Sequence, residues 1–238
     1  MTPRQRARQQ TIRDIKRLAR RQLATEGSSG LSLRAIAREL NIVSSAIYRY
    51  VPSRDELLTM LIVDAYDALG EAAEKAEAAA DPADFHARWM AIGRAFRTWS
   101  VAHPEEFGLL YGSPVPGYVA PPDRTNVPGT RVSLLLLRVV SEAAASGTAR
   151  PPYDAPEISD DLRAGFAELR TAIRTETGTE AGTEFSDELA TRLLLAWTAL
   201  VGLVSFELTH QFRGLVTDNA AHFDHQLARL SHLLGLTC

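Results

Sequence analysis

The chain has 238 residues, 45% of them hydrophobic, which is enough to bury a sizeable core and fits a small module beside a larger one. Its one cysteine, Cys238, excludes a disulfide framework within one chain, so we expect an intracellular, cytoplasmic protein. The arginine-rich start lacks the apolar run of a secretory signal, and the longest uncharged apolar run, residues 193–206, is shorter than the roughly 20 residues that span a bilayer. We therefore expect no membrane partner.

Charge is distributed unevenly along the chain, although the net charge is only −3. Residues 1–60 contain 12 Lys and Arg against 5 Asp and Glu, a net of +7, whereas the remainder contains 14 against 24, a net of −10. A basic segment on an acidic body is typical of a nucleic-acid-binding module. The alternative is that the arginines only solvate an exposed helix face, and charge alone leaves both interpretations open.

The first fifty residues are predicted to form three helices. The first has apolar residues at helical spacing and ends at Gly27, because glycine suits the left-handed end of a helix. Ser32 is expected to cap a second helix over 33–40. Asn41 tolerates the left-handed conformation of a tight turn, and a short third helix follows over 44–50.

Apolar residues also recur at helical spacing in the rest of the chain, and no stretch shows the period-two alternation of strands. Residues 53–56 form a capping box for the next helix. Proline and glycine between residues 112 and 127 indicate a loop. Further helices are predicted over about 55–80, from 81 to a break at His103 and Pro104, around 107–111, 129–146, around 162–173, 186–210 and 219–234, with a loop at 150–156 and a flexible link at Gly178 and Gly182.

Residues 33–50 have the order of a helix-turn-helix, in which the second helix lies in the major groove of DNA and the first crosses the backbone. Such a unit needs a shared apolar core and a polar outer face on its second helix. The residues expected to form the core are Ile36, Ala37, Leu40, Ile42 and Ile47. Those left to face outwards are Ser44, Ser45, Tyr48, Arg49 and Tyr50.

Residues 33–58, LRAIARELNIVSSAIYRYVPSRDELL, resemble the DNA-binding module of the TetR family of repressors. The match covers about a quarter of the chain and includes the preceding helix that ends at Gly27. The resemblance implies an all-α fold, with an N-terminal three-helix module containing the helix-turn-helix over residues 1–54. A larger helical ligand-binding and dimerisation domain then occupies residues 55–238. It also implies a repressor that is released from a palindromic operator in double-stranded DNA by a small-molecule effector.

The resemblance further implies roles for single residues. Arg34 is expected to contact phosphate, and Tyr48, Tyr50 and Arg54 to meet the DNA backbone. The positions expected to face the groove are Ser44, Ser45, Ala46 and Arg49. Arg49 is the best candidate for reading a base, because arginine pairs well with guanine. The N-terminal arginines that are expected to add phosphate contacts or reach a minor groove are Arg4, Arg6 and Arg8.

Two positions depart from the family pattern. Asn41 stands where glycine is usual, which is conservative for a left-handed turn. Val43 stands where serine or threonine usually caps the recognition helix, and valine cannot cap. Ser44 is therefore expected either to cap this helix or to contact DNA. Tyr48 is either a DNA contact or a core residue.

An aromatic stripe runs along the helix that follows Asp81, and on pattern alone it indicates core packing. The resemblance adds a ligand cavity, because the C-terminal helices of the family usually enclose one. The residues expected to bind the effector are Trp89, Phe96, Trp99, His103, Phe107, Tyr111, Phe166 and Trp197. The segments 103–111 and 197–202 resemble the subfamily with a C-terminal Trp-His-Gly signature, but Val201 occupies the histidine position.

The last two long helices are expected to form a homodimer. The helix over 186–210 is apolar nearly all round, so one side can face its own domain and the other a partner. Gly202 permits close approach of helices, and the final helix repeats Phe223, Leu227, Leu230 and Leu234 at heptad-like spacing. A two-fold dimer gives a four-helix bundle and sets two recognition helices about 34 Å apart, one turn of DNA.

Catalytic patterns find little support in the sequence, so we expect no enzyme, no cofactor and no metal. His222, Asp224 and His225 are interpreted as a solvated helix face, with a metal site as the alternative. A second functional hypothesis is a dimeric small-molecule-binding protein without specific operator recognition, which Val43 favours. A helical enzyme is the third, and it would have to use residues such as His103, Tyr111, Glu207 and His210.

Overall fold

The computed structural model of the protein describes residues 2–149, 156–177 and 185–236, and within these ranges every regular element is helical. The α-helices are α1 Pro3–Glu26, α2 Leu33–Glu39, α3 Ser44–Ile47, α4 Arg54–Ala78, α5 Phe85–Ala102, α6 Pro104–Tyr111, α7 Pro122–Ala145, α8 Asp160–Thr177, α9 Asp187–Leu208 and α10 Asn219–Leu233, and Ser28–Gly30 form a 3₁₀ turn. The all-α prediction is confirmed. The predicted loop at 150–155, the link at Gly178 and Gly182, and Cys238 lie outside the described residues.

The chain divides into two compact units, whose boundaries fall inside α4, α5 and α7. The first unit comprises the residues up to Leu69 and Ser100–Gly129, and the second comprises Gly70–Trp99 and the residues from Thr130 onwards. Each compact unit thus combines two separate stretches of the chain. The domain boundary at residue 54, which separates the expected DNA-binding segment from the rest, stays a prediction.

One apolar cluster holds the first unit together. Its side chains come from α1, α2, α3 and the first turns of α4, because each helix is apolar on one stripe only and must bury that stripe against the others. The fully buried members are Ile15, Ala19, Ile36, Ala37, Ile47, Val51, Leu57, Leu58 and Leu61. This core fixes α2 and α3 relative to each other and leaves their opposite faces in solvent.

The second unit packs α5 against α9 and α10. Trp89, Phe96 and Phe223 are fully buried. The Trp89 indole Nε1–H donates to the Leu227 carbonyl oxygen at 3.0 Å. The buried Arg88 guanidinium lies 2.6 Å from Glu77 and 2.7 Å from Glu142. These two buried polar side chains therefore find partners on neighbouring helices, as a packed interior requires.

The predicted loop over 112–127 is wrong in its last part, because α7 already begins at Pro122. Proline at the first helical position is favourable, and the Pro121 carbonyl accepts bonds from the N–H groups of Arg124 and Thr125, both at 3.1 Å. Pro128 lies inside α7, which costs the helix one backbone hydrogen bond. The Arg124 guanidinium binds both Glu56 carboxylate oxygens, at 2.6 and 3.0 Å, and ties this first turn to α4.

Candidate nucleic-acid interface

The turn between α2 and α3 forms where the sequence indicates it. Ser32 caps α2, with its Oγ accepting from the Ala35 N–H at 3.3 Å. Asn41 takes a positive φ of 54°, so the predicted left-handed turn is confirmed. The Ile42 N–H then donates to the Ala37 carbonyl at 3.0 Å, which closes the turn and directs the chain into α3.

The recognition helix α3 is shorter than predicted. Its α-helical part ends at Ile47, and the predicted continuation to residue 50 is a succession of turns, with Tyr50 N–H donating to the Ile47 carbonyl at 2.9 Å. Pro52 prevents any helical continuation past Tyr50, because a proline disfavours helical backbone at the residue before it, here Val51. The helix is thus one regular turn that continues as tighter turns.

The inward and outward faces of this unit are as predicted, except that Tyr50 was expected to face outwards and instead is half-buried against the core cluster. Ile36, Ala37 and Ile47 have no exposed surface, and Leu40 and Ile42 pack against the same cluster. The exposed side chains on the opposite face are Ser44, Ser45, Tyr48 and Arg49, with Tyr48 42% exposed. Ala46 is buried at 9% exposure, so its part in a DNA contact stays a prediction. The exposed face offers hydroxyl and guanidinium groups, which bind phosphate oxygens and base edges.

Val43 occupies the N-cap position of α3 and is 70% exposed. No side chain of the described residues caps this helix, and Ser44 is its first helical residue. Ser44 therefore does not take over the capping, and its hydroxyl stays on the exposed face with Ser45. A valine at this position leaves the first N–H groups of α3 without a side-chain acceptor.

The expected backbone-contacting residues surround this face. Arg34 is exposed on α2. Arg54 is half-buried and donates to the Ser28 carbonyl at 2.7 Å, so it also joins the start of α4 to the turn after α1. Tyr50 is half-buried, and the Arg8 guanidinium carbon lies 5.9 Å from its ring centre.

Ion pairs along α1 were not found by sequence analysis, because their acidic partners lie far away in the chain. Lys16 pairs with Asp64 at 2.7 Å. Arg20 pairs with the same Asp64 at 3.2 Å and with the buried Glu106 at 2.5 Å. Part of the positive charge in residues 1–60 is therefore neutralised inside the first unit, and only the remainder is available to a nucleic acid.

Comparison with known proteins identifies the family of this helical architecture. Residues 15–61 match the family of bacterial regulatory proteins named tetR, and residues 89–230 match the tetracyclin repressor-like C-terminal domain. The HTH-type transcriptional regulator Rv1816 of Mycobacterium tuberculosis is 41% identical over 231 residues, which cover 96% of this chain and 94% of the relative. The chain belongs to the TetR family. It is a DNA-binding transcriptional regulator, as the sequence indicates.

Solved structures agree with this assignment. The regulatory protein SCO4313 is 35% identical, covers 96% of this chain and 98% of its own, and superposes with a TM-score of 0.70. RolR, crystallised with resorcinol, is 17% identical, covers 94% of this chain and 89% of its own, and has a TM-score of 0.51. At that identity RolR shows a shared fold and no more.

The residues expected to bind an effector are distributed over both compact units of this TetR-family regulator. In the second unit, Phe96 and Trp197 make an edge-to-face contact with ring centres 5.5 Å apart. Trp89, Trp99 and Phe166 are buried there as well. Since the Trp89 N–H already has a backbone acceptor, it is occupied within the protein. These contacts are those of a packed core, and the ligand role stays a prediction.

The other expected effector residues, His103, Phe107 and Tyr111, belong to the first unit. The Tyr111 ring centre lies 5.2 Å from that of Phe107 and 6.2 Å from that of Tyr66. Burial raises the pKa of both Tyr66 and Tyr111 above the ordinary tyrosine value. Both phenols are therefore neutral over the physiological range and can donate a hydrogen bond.

Helices α9 and α10 present apolar side chains to solvent. Leu194, Leu195 and Phe206 of α9 are each more than half exposed. A groove of about 640 Å³ beside Leu195 is lined by α10 side chains, namely His225, Gln226, Ala228, Arg229, Leu230, His232 and Leu233. A side chain built at Gly202 would meet no atom within 4 Å.

Helix α9 is also long and apolar enough to cross a bilayer by length and composition, which is weak support for a membrane because core helices pass the same test.

On α10, His222 and Asp224, which were weighed as part of a metal site, contact other side chains of the chain. The His222 ring lies 5.0 Å from the Phe212 ring, and Asp224 binds Arg94 at 3.0 Å. Across residues 2–149, 156–177 and 185–236, no group of three His, Cys, Asp or Glu side chains could hold a metal.

Proposed function

We propose that this TetR-family regulator is a repressor that binds a palindromic operator as a homodimer and is released by a small-molecule effector. The observation that carries the proposal is the exposed polar face of Ser44, Ser45, Tyr48 and Arg49 on a rigid apolar core. Because a recognition helix must keep its side chains in a fixed register with base edges, this rigidity supports sequence reading. The proposal requires no catalytic chemistry and places the protein in the cytoplasm.

The exposed apolar side of α9 supports the homodimer. Contiguous exposed apolar side chains mark interaction sites in water-soluble proteins, and here they lie beside the apolar groove along α10. A two-fold axis at this surface would bury Leu194 and Leu195 of both copies at once and form a four-helix bundle. Two recognition helices related by the same axis would then read two half-sites about one DNA turn apart.

An effector can release the operator only by binding one arrangement of the dimer more tightly than the other. The aromatic residues expected to contact it favour an apolar or amphipathic molecule. Burial raises the pKa of Tyr66 and of Tyr111 and so keeps both phenols neutral. A neutral phenol can donate a hydrogen bond to a polar group of such a molecule. Pockets with this composition bind small molecules through apolar walls and a few oriented hydrogen bonds.

The test uses two recognition-helix variants, Arg49→Ala and Tyr48→Ala, with Arg213→Ala as an arginine control on an exposed turn. Each recognition variant should weaken binding to the DNA upstream of the gene by about 1–3 kcal/mol, roughly 5- to 150-fold, while the control binds as the wild type does. Sedimentation should show the same dimer for all four proteins. Unchanged affinity in both recognition variants would contradict the placement of the interface on α3.

A specific observation favours the alternative of a small-molecule-binding dimer without operator recognition. Val43 gives α3 no side-chain cap, which weakens the start of the recognition helix. Under this alternative, binding to DNA falls steeply with salt and shows no preference among sequences. A Val43→Ser variant with restored cap would then not improve selectivity for any duplex.

A further inference from the structure

The first turns of α1 extend beyond the apolar core of the first unit. Side chains 2–10 are exposed, and the first fully buried residue of the helix is Ile15. This segment is nevertheless helical from Pro3, because Thr2 and Gln5 form a reciprocal capping box, with hydrogen bonds of 3.2 and 2.7 Å. Packing does not explain why the helix continues so far outwards.

The cations of α1 differ in whether they have acidic partners. From Arg17 to Arg21, all three arginines pair with carboxylates of this chain, as does Lys16. By contrast, Arg4, Arg6 and Arg8 lie in no ion pair within the described part of the chain. Uncompensated positive charge is therefore concentrated on the turns that leave the core.

The helical repeat sets the direction of these arginines. Arg8 and Arg4 precede the buried Ile15 by seven and eleven residues, about two and three turns, and so share its stripe of the helix. The contacts of Arg8 confirm this direction, because its Nη2 lies 3.4 Å from the Arg49 carbonyl oxygen. The stripe that enters the core at Ile15 thus continues outwards as a basic face beside the end of the recognition segment.

We propose that Arg4 and Arg8 form a second DNA-contacting surface, which binds operator phosphates next to the bases that α3 reads. Charge complementarity with the phosphate backbone and continuity with the exposed Arg49 identify the partner as duplex DNA rather than a protein. Arg8 uses one of its five donors on the Arg49 carbonyl, which leaves the others for a phosphate. The inference rests on the proposed function, since it needs an operator held by α3.

The same helix provides a matched control. Arg13 and Arg17 are four residues apart, as Arg4 and Arg8 are, and share one exposed stripe, which lies on the side of α1 opposite to Arg4 and Arg8. The double variants Arg4→Gln/Arg8→Gln and Arg13→Gln/Arg17→Gln therefore remove the same charge from opposite faces. Glutamine and arginine have nearly the same helix propensity, so α1 is kept in both.

The experiment first selects an operator from a pool of random duplexes with the wild-type protein, and then measures affinity over a range of salt. Arg4→Gln/Arg8→Gln should reduce the steepness of log affinity against log salt by about three to four, because the homodimer loses two phosphate contacts in each of its two half-sites. The selected consensus should stay the same, since phosphate contacts carry no sequence information. Arg13→Gln/Arg17→Gln should keep the wild-type steepness.

The outcomes separate this inference from the proposed function. If a consensus is selected but both double variants change the salt dependence equally, Arg4 and Arg8 make no specific contact and the inference alone is overturned. If the wild type selects no consensus, the proposed function fails, and the second surface fails with it. Hydroxyl-radical footprints should also shorten on the operator for Arg4→Gln/Arg8→Gln only, and equal footprints for all three proteins would overturn the inference.

Discussion

Replacement of Leu195 by alanine tests the proposed dimer where α9 exposes an apolar side chain beside α10. Leu195 is 56% exposed in the single chain and lines the groove beside α10. Burying about half of a leucine side chain contributes about 1–1.5 kcal/mol, and a two-fold interface contains this contact twice. The loss is therefore about 2–3 kcal/mol, which raises the dimer dissociation constant roughly 30- to 150-fold.

Sedimentation over a range of protein concentrations measures this constant directly. Leu169→Ala is the matched control, because Leu169 is 46% exposed on α8 and outside the α9–α10 surface. We expect Leu195→Ala to dissociate at a higher protein concentration than the wild type. The control Leu169→Ala should dissociate at the same concentration as the wild type. Equal dissociation constants for all three proteins would refute the assignment of this surface to the dimer.

Three further predictions concern stability and titration. Gly93→Ala should destabilise the fold by about 1–3 kcal/mol in urea, because the new Cβ would clash with a methyl of the fully buried Leu227, and unchanged unfolding would contradict this packing. Ser32→Ala should cost about 1 kcal/mol through loss of the cap bond to the Ala35 N–H, and a Ser32→Thr variant that is equally destabilised would argue against capping. Because burial raises the pKa of Tyr111 in the folded protein, the neutral phenol favours the folded state. This contribution to stability is present below the pKa that Tyr111 has in the unfolded chain, and it is lost as the pH rises through its pKa in the folded protein. Ultraviolet titration should show a late phenolate that disappears in Tyr111→Phe, and an unchanged titration in that variant would contradict the burial.

The helix-turn-helix was predictable because its determinants are local. Ser32 caps the helix that starts directly after it, and Asn41 has the positive φ that its side chain tolerates. The helical spacing of apolar residues over α2 and α3 then assigns the inner face, including Ile36 and Ile47. Each of these signals acts within four residues of the sequence.

Features that depend on distant partners were not predictable. Trp89 was expected to bind the effector, but its indole N–H donates to the carbonyl of Leu227, far along the chain. Charge along the sequence left open how much of α1 is available to a nucleic acid, and the structure shows that Asp64 and Glu106 neutralise part of its positive charge. The early start of α7 was missed because proline and glycine over 112–127 indicate a loop, whereas a proline such as Pro122 is favourable at the first position of a helix.

Sequence-selective binding of the purified wild-type protein to the DNA upstream of its gene tests the central claim most directly. A labelled duplex from that region is titrated over a range of salt, with a random duplex of equal length as competitor. We expect one dimer, or a pair of dimers, to stay bound to a palindrome at competitor concentrations that remove nonspecific binding. Equal displacement by both duplexes, with all binding lost at moderate salt, would contradict it.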